Sequence, residues 1–376
     1  MNLDKLYRYL EEHKTEITDD VLTLVKAESP SENKALVDAC GITLQQMAKR
    51  LINGTIETFP QTTRGNHFKM TVGQGKRRVL VCAHFDTVWQ QGRLPIKVED
   101  GKIFGPGAYD MKGGIVQSLW AVKALIDNGE FPELEIVFLF TSDEELGSQT
   151  SRKIIEEEAL KSDVVLITEP PIDYTGDLKT ARKGVGIYQL EVFGKAAHAG
   201  NNHSAGKSAI LELAQQIIKL ESLTNYRLGT TVNVGVIRGG SKSNVVPDYA
   251  VAEIDFRVET DEEAERLVDI MENLQPLTDG VEIKVSGELN RPPMVKTEKT
   301  EELFRKAQEA GALVGLNIGE KLAGGGSDGN FTASLGVPTL DGLGALGAGA
   351  HAEHEHIIID ELPKRAAMFA RLLQKI

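Results

Sequence analysis

The sequence predicts an α/β protein: a mostly parallel sheet with helices on both faces, interrupted by an inserted ferredoxin-like α+β domain. Three observations lead there. Short apolar runs alternate with helical periodicity up to about residue 176. The pattern then changes to half-exposed alternating strands across residues 180–289. From residue 290 the first pattern resumes.

Residues 78–83, 134–140 and 164–167 read as strands. They are too short for helices, lack a helical period and are rich in Val, Ile, Leu and Phe. Such continuous apolar runs belong to strands buried on both faces. A helix follows Gly113-Gly114, with Ile115, Leu119, Val122 and Leu125 at helical spacing. Residues 1–27 place Leu3, Leu6, Leu10, Ile17, Val21 and Leu24 at the same spacing among charges, which predicts a helix rather than a signal peptide. In the middle, residues 185–193, 231–237 and 251–258 alternate as strands, 208–220 and 261–273 carry helical spacing, and 281–286 is a further strand. Strand–helix–strand–strand–helix–strand is the ferredoxin-like order. The chain then adds a helix through Leu313, a strand end at Pro338-Thr339-Leu340 and a C-terminal helix from Asp360. Residues 1–179 and 290–376 are thus expected to form one discontinuous domain, and residues 180–289 the insert.

A length of 376 residues suits about two domains. The net charge of −13 argues against a nucleic-acid partner, which needs a basic patch. No run of apolar residues is long enough to predict a membrane helix. Cys40 and Cys82 lie far apart, and Cys82 falls in a predicted buried strand. A structural disulfide is therefore not expected, and a reducing cytoplasmic setting fits.

The candidate chemistry gathers where apolar strands end. His84 and Asp86 follow residues 79–83, and His-x-Asp spacing puts both side chains on one face of extended chain. One can bind a metal while the other orients it. Asp143-Glu144-Glu145 follow residues 136–140, and three adjacent carboxylates at a buried strand end repel unless a cation neutralises them. Glu169 follows residues 164–167 and precedes two prolines. Asp110 sits just before Gly113-Gly114, where a plain helix cap is the simpler reading of that residue alone. His351, His354 and His356 share one small-residue loop, and spacing does not choose among them. Open α/β sheets bind ligands at the carboxyl ends of their strands. Imidazole with carboxylate suits Zn²⁺ or a related transition ion. Five ligands exceed one tetrahedral zinc and suit two ions sharing a carboxylate, about 3.5–4 Å apart.

Two glycine-rich segments carry less. Gly342 to Gly347 has the G-x-G-x-x-G spacing, but a histidine-rich loop follows instead of a helix, so a dinucleotide site is not expected. Gly324 to Asn330 is either a plain turn or a loop whose N–H groups hold an anion. Neither cysteine carries a local protease signature, so covalent hydrolysis by Cys is unsupported.

In this order, His84-Phe85-Asp86-Thr87-Val88, Gly107 to Gly114, Asp143 to Ser148, and His351 with Glu355 four residues on resemble the zinc aminoacylase/carboxypeptidase family. Gly194 to Gly200, Ser243 to Pro247, Asn290 to Pro293 and Gly324 to Asp328 look most like its glutamate carboxypeptidase branch. The resemblance implies a two-zinc hydrolase, with Co²⁺ or Mn²⁺ as other possible ions, and a homodimer formed through residues 180–289. It implies that His84 and Glu169 hold one ion, Glu145 and His351 the other, with Asp110 bridging and Glu144 as general base. Asp86 would orient His84. His198 would reach the partner's active site, with Asn244 nearby, and Arg291, Gly326 and Ser327 would meet the substrate. The basic pair Arg182-Lys183 is a departure from several relatives. The implied substrate is a small peptide or N-acyl amino acid with a free carboxylate next to the scissile amide. Aminoacylase, deacetylase or dipeptidase activity is the alternative within the family. A non-catalytic metal-binding module would be expected to lack the base, and Glu144 is present.

Overall fold

The computed structural model describes residues 4–376. It divides into two compact units: residues 4–181, 296–322 and 327–376, and residues 182–295 with 323–326.

The first unit is built on a six-stranded sheet. Its strand order is Thr55–Phe59, His67–Val72, Leu134–Thr141, Arg77–His84, Val164–Ile167 and Thr339–Leu340. The last four run parallel, and the first two are antiparallel additions at one edge. Alternate side chains leave the central strands on opposite faces. Val79, Val81, Phe138, Phe140 and Leu166 join the large core. Leu80, Cys82, Val137, Leu139 and Ile167 pack with Ile155, Ala159 and Phe331 on the other side. Both faces are therefore apolar, which is why these runs show no alternation. Each fully buried Val, Leu or Phe contributes about 1.5–3 kcal/mol relative to exposure. The parallel register pairs His84 with Thr141 and Cys82 with Ile167. The residues following these strands, Asp86, Glu144, Glu145 and Glu169, consequently emerge along one edge of the sheet.

The N-terminal segment differs from the single helix expected over residues 1–27. It forms two helices, Lys5–Glu12 and Lys14–Lys26. His13 breaks them with non-helical angles (φ −102°, ψ 17°), and its Nδ1 lies 2.8 Å from the Tyr9 carbonyl. Leu3 lies outside the described residues. The unit also contains helices Lys34–Ile52, Gly113–Asp127, Arg152–Ala159, Glu298–Leu313, Asp328–Ser334 and Leu362–Lys375, and a smaller sheet of Lys97–Glu99, Lys102–Phe104, Gly347–Ala348 and His356–Ile358.

The second unit has a four-stranded antiparallel sheet in the order Thr231–Gly239, Tyr249–Val258, Gly184–Phe193, Glu282–Arg291. Helices Ala209–Glu221 and Asp261–Glu272 supply Leu213, Leu220, Leu267 and Met271 to its core, against Leu190, Val192, Ile254 and Phe256. That strand order and connectivity are ferredoxin-like. Among the described residues no helix is long and apolar enough to cross a membrane, and both cysteines are buried and free.

Candidate metal centre

His84 closes its strand with the ring buried. Its Nδ1 is 3.1 Å from the Asp86 carbonyl and 3.5 Å from the Asp86 carboxylate. Only acceptors face that nitrogen, so it carries a proton and the ring is oriented through it. Nε2 points the other way, 3.2 Å from Asp110 Oδ1 and 3.3 Å from Glu169 Oε1. Asp86 also accepts the backbone N–H groups of Glu144 and Glu145, at 3.2 and 3.3 Å, and the Ser31 hydroxyl at 2.7 Å. One buried carboxylate thus sets both the imidazole and the acidic turn.

Asp110 is not a helix cap. The helix Gly113–Asp127 begins at Lys112 with no side-chain cap, and Asp110 has extended angles (φ −114°, ψ 93°). Its Oδ1 faces His84, and its Oδ2 lies 3.5 Å from His351 Nε2. His351 Nε2 is also 3.1 Å from Glu145 Oε2. Asp110 therefore stands between two imidazoles, one carboxylate oxygen toward each, with Glu169 on one side and Glu145 on the other. His356 turns elsewhere: its Nδ1 meets the His354 carbonyl at 2.8 Å, and its ring packs on Phe104.

Among the described residues, the tightest possible ligand groups are His84 with Glu144 and Glu169, and His84 with Asp110 and Glu145, all atoms within 4.8 Å. This grouping differs from a division between His84 and His351. His351 stands outside both groups, with its Nε2 3.1 Å from Glu145 Oε2. Glu144 beside His84 and Glu169 suits either a further ligand or a base next to the ions.

The electrostatics call for cations. Burial pulls the His84 imidazole down, yet Asp110, Asp86 and Glu169 outweigh it and hold it well above the ordinary histidine value. Hydrogen bonds to Asp110 and Glu145 push His351 up to about 11. Burial raises Asp110, but His351 and His84 outweigh it and lower it. Burial leaves Glu145 raised despite His351. A divalent pair fits the same donors, two imidazoles and a set of buried carboxylates.

Glu355, the residue four positions after His351, has a role that its spacing does not show. It is buried, and its carboxylate accepts N–H groups from Gly107 (3.2 Å), Tyr109 (2.9 Å), Asp110 (3.0 Å) and the Trp89 indole (2.7 Å). Burial pushes it up to about 7 against those donors. It fixes the backbone that carries Asp110. The Gly342–Gly347 segment also has an explanation. Buried Arg365 donates to the carbonyls of Gly344, Gly342 and Gly176 at 2.6, 2.9 and 3.0 Å, so the loop wraps an arginine, not a pyrophosphate.

In the second unit, His198 lies in the short strand Ala197–His198, paired with Val245–Val246. Its Nδ1 accepts from Gly200 and Asn201 at 3.1 and 3.0 Å, which leaves its proton on Nε2. Asn244 is tied to the same ribbon by Ala199 N–H, at 3.0 Å to its carbonyl. Arg291 ends its strand, buried, and a Cβ on Gly326 would come within 2.6 Å of Arg291 Cδ. Arg182 donates to the carbonyls of Gly325 and Gly326. Ser327, in the first unit, caps the helix Asp328–Ser334. Its hydroxyl donates to Asp341 at 2.6 Å and accepts from Gly329, and its N–H goes to Asn330. Its polar atoms are thus occupied by the fold.

A parallel sheet whose strand ends collect imidazoles and carboxylates around a shared aspartate is the arrangement of a metal-dependent hydrolase. The chain belongs to peptidase family M20/M25/M40, whose profile spans residues 80–375. It is a metallopeptidase-type hydrolase of amide bonds. It is 32% identical to carboxypeptidase G2 from a Pseudomonas species, over 81% of this chain and 75% of that protein. It is 28% identical to succinyl-diaminopimelate desuccinylase from Delftia acidovorans, over 80% and 82%. A Staphylococcus aureus tripeptidase shares the fold with TM-score 0.79 and 23% identity, covering 96% and 98% of the two chains.

Proposed function

We propose that the chain is a dinuclear metallocarboxypeptidase of the glutamate type, with zinc as the ion. It cleaves an amide or peptide bond next to a free carboxylate in a small peptide or N-acyl amino acid. The observation that carries this reading is Asp110, whose two oxygens face two imidazoles, each accompanied by its own glutamate. His84 and Glu169 would hold one ion, Glu145 and His351 the other, and Asp110 both. The metal pair, when bound, supplies Lewis acidity and a water of lowered pKa.

The remaining steps belong to the chain's own residues. Glu144 takes the proton of the attacking water and passes it to the leaving amine. Asp86 holds both His84 and the Glu144–Glu145 backbone in place. His198, with its proton on Nε2, serves as the oxyanion donor, delivered from the partner of a homodimer formed through residues 180–289, with Asn244 beside it. Arg291 takes the substrate carboxylate, because a guanidinium fork matches both oxygens. Gly326 leaves room next to that arginine, and Ser327 serves the site by capping the following helix. A cytoplasmic setting agrees with two free buried cysteines.

The likeness to carboxypeptidase G2 favours the glutamate-type reading over the desuccinylase, aminoacylase and dipeptidase alternatives. A hydrolysis screen tests it, using benzoyl- and folyl-glutamate, succinylated and acetylated amino acids, and dipeptides. Chelated protein is reloaded separately with Zn²⁺, Co²⁺ and Mn²⁺. C-terminal glutamate substrates should lead with zinc. A dipeptide or an N-acetyl amino acid turned over at least about tenfold better in kcat/KM contradicts the assignment.

A further inference from the structure

His67 opens the strand His67–Val72, second from the edge of the sheet, and is fully buried; it is not one of the five candidate ligands. The Ser142 backbone N–H donates to its Nδ1 at 3.2 Å. The Ser142 hydroxyl stands 3.0 Å from the same nitrogen, but it donates to the Gly65 carbonyl at 2.6 Å. On the other side, His67 Nε2 is 2.9 Å from Thr150 Oγ1. Thr150 gives both its N–H and its hydroxyl proton to Asp143, at 2.6 and 2.7 Å. Its oxygen is therefore an acceptor, and His67 Nε2 carries the proton. Nδ1 is bare, because a backbone N–H can only donate. Ser142 and Thr150 are the two ends of the turn that holds Glu144 and Glu145. One rigid ring thus spans the base of that turn.

We propose that His67 is a positioning residue, its neutral imidazole clamping Ser142 to Thr150 and so fixing where Glu144 and Glu145 stand. The clamp rests on the reading of Glu144 as base only for its catalytic consequence. An imidazolium would turn an N–H against the Ser142 N–H, so the geometry demands the neutral form. The surroundings agree. Burial, helped by Lys34, lowers the imidazole against the opposing pull of Asp143, Asp86 and Asp328. Displacing a reacting group by even about 1 Å can cost about 10²-fold in rate.

The test combines ¹⁵N NMR of the wild-type imidazole, amide exchange across residues 142–150, and Co²⁺ titration with steady-state kinetics of His67→Phe and His67→Asn. Wild-type protein should show a bare Nδ1 and a protonated Nε2 at pH 7. His67→Phe keeps the ring volume and loses both hydrogen bonds. Its turn should exchange at least about tenfold faster, its Co²⁺ affinity should weaken, and kcat should fall about 10- to 100-fold with KM within about threefold. Asn Oδ1 can replace Nδ1, so His67→Asn should recover most of the protection and rate. A protonated Nδ1 in the wild type overturns the proposal, as does a folded His67→Phe with unchanged exchange and kcat. If His67→Phe does not fold, the tautomer and His67→Asn still decide. A loosened turn in His67→Phe beside a fully active Glu144→Gln sinks the base assignment and leaves the clamp standing.

Discussion

At the scale of single residues, the proposed site separates groups that would meet the ions from groups that would hold those ligands in place. Glu144→Gln should retain both metals and lower kcat by at least about 10²-fold, the usual size of general-base catalysis. Loss of metal with an unchanged rate per remaining ion would show that Glu144 is a ligand. Glu355 acts at one remove. Its carboxylate collects four N–H groups, three of them from the Gly107–Asp110 backbone. Glu355→Gln turns an amide toward those donors, and metal affinity should weaken about 10- to 100-fold, as is usual for supporting partners of metal ligands. Equilibrium dialysis with Zn²⁺ reads this directly; unchanged affinity removes Glu355 from the account. The contrast explains what was legible in the sequence. His84, Glu145 and Glu169 each follow an apolar run, so their position at a strand end could be read locally. His67 and Trp89 act through partners 75 to 266 positions away, and no local pattern marks them; Glu355 was legible as the residue four positions after His351, not as the acceptor of the Asp110 backbone.

At the scale of elements, helix Arg152–Ala159 is bound to the sheet by one buried carboxylate. Glu158 accepts from Lys69 and Arg78, on the two strands that flank Leu134–Thr141, and from Lys161. Burial raises Glu158, but those three cations outweigh it and lower it to about 2. A carboxylate depressed in the folded state stabilises above its unfolded value of about 4.3. That stability is lost as pH falls from there toward 2. Urea unfolding should find Glu158→Gln less stable than wild type by on the order of 2–3 kcal/mol at pH 7, with the gap closing by about pH 2. A constant gap across that range would mean that the ion pairs contribute nothing. The central strands were readable because burial on both faces leaves a continuous apolar run. The helix break at His13 was not, since apolar spacing continues through it. The small sheet containing His356–Ile358 also escaped notice, because its strands are two or three residues long.

At the scale of the whole molecule, the proposed homodimer makes a demand that neither unit meets alone. If His198 serves its partner's site, mixing inactive His198→Ala with inactive Glu144→Gln should restore activity. Random pairing gives heterodimers with one complete site, or about a quarter of wild-type activity per total subunit. Demonstrated subunit exchange without recovery excludes action across the dimer. The sheet and the inserted α+β layer were legible from periodicity, because each layer imposes its own repeat. The proposed bridging role of Asp110 came only from the resemblance, since a helix cap explains the same residue by spacing; the two imidazoles on either side of it favour the bridge. The most direct measurement is therefore a zinc-loaded crystal structure with anomalous data. Two ions about 3.5–4 Å apart, each bonded to one oxygen of Asp110, are predicted. A single ion, or two ions that do not share Asp110, would contradict the account.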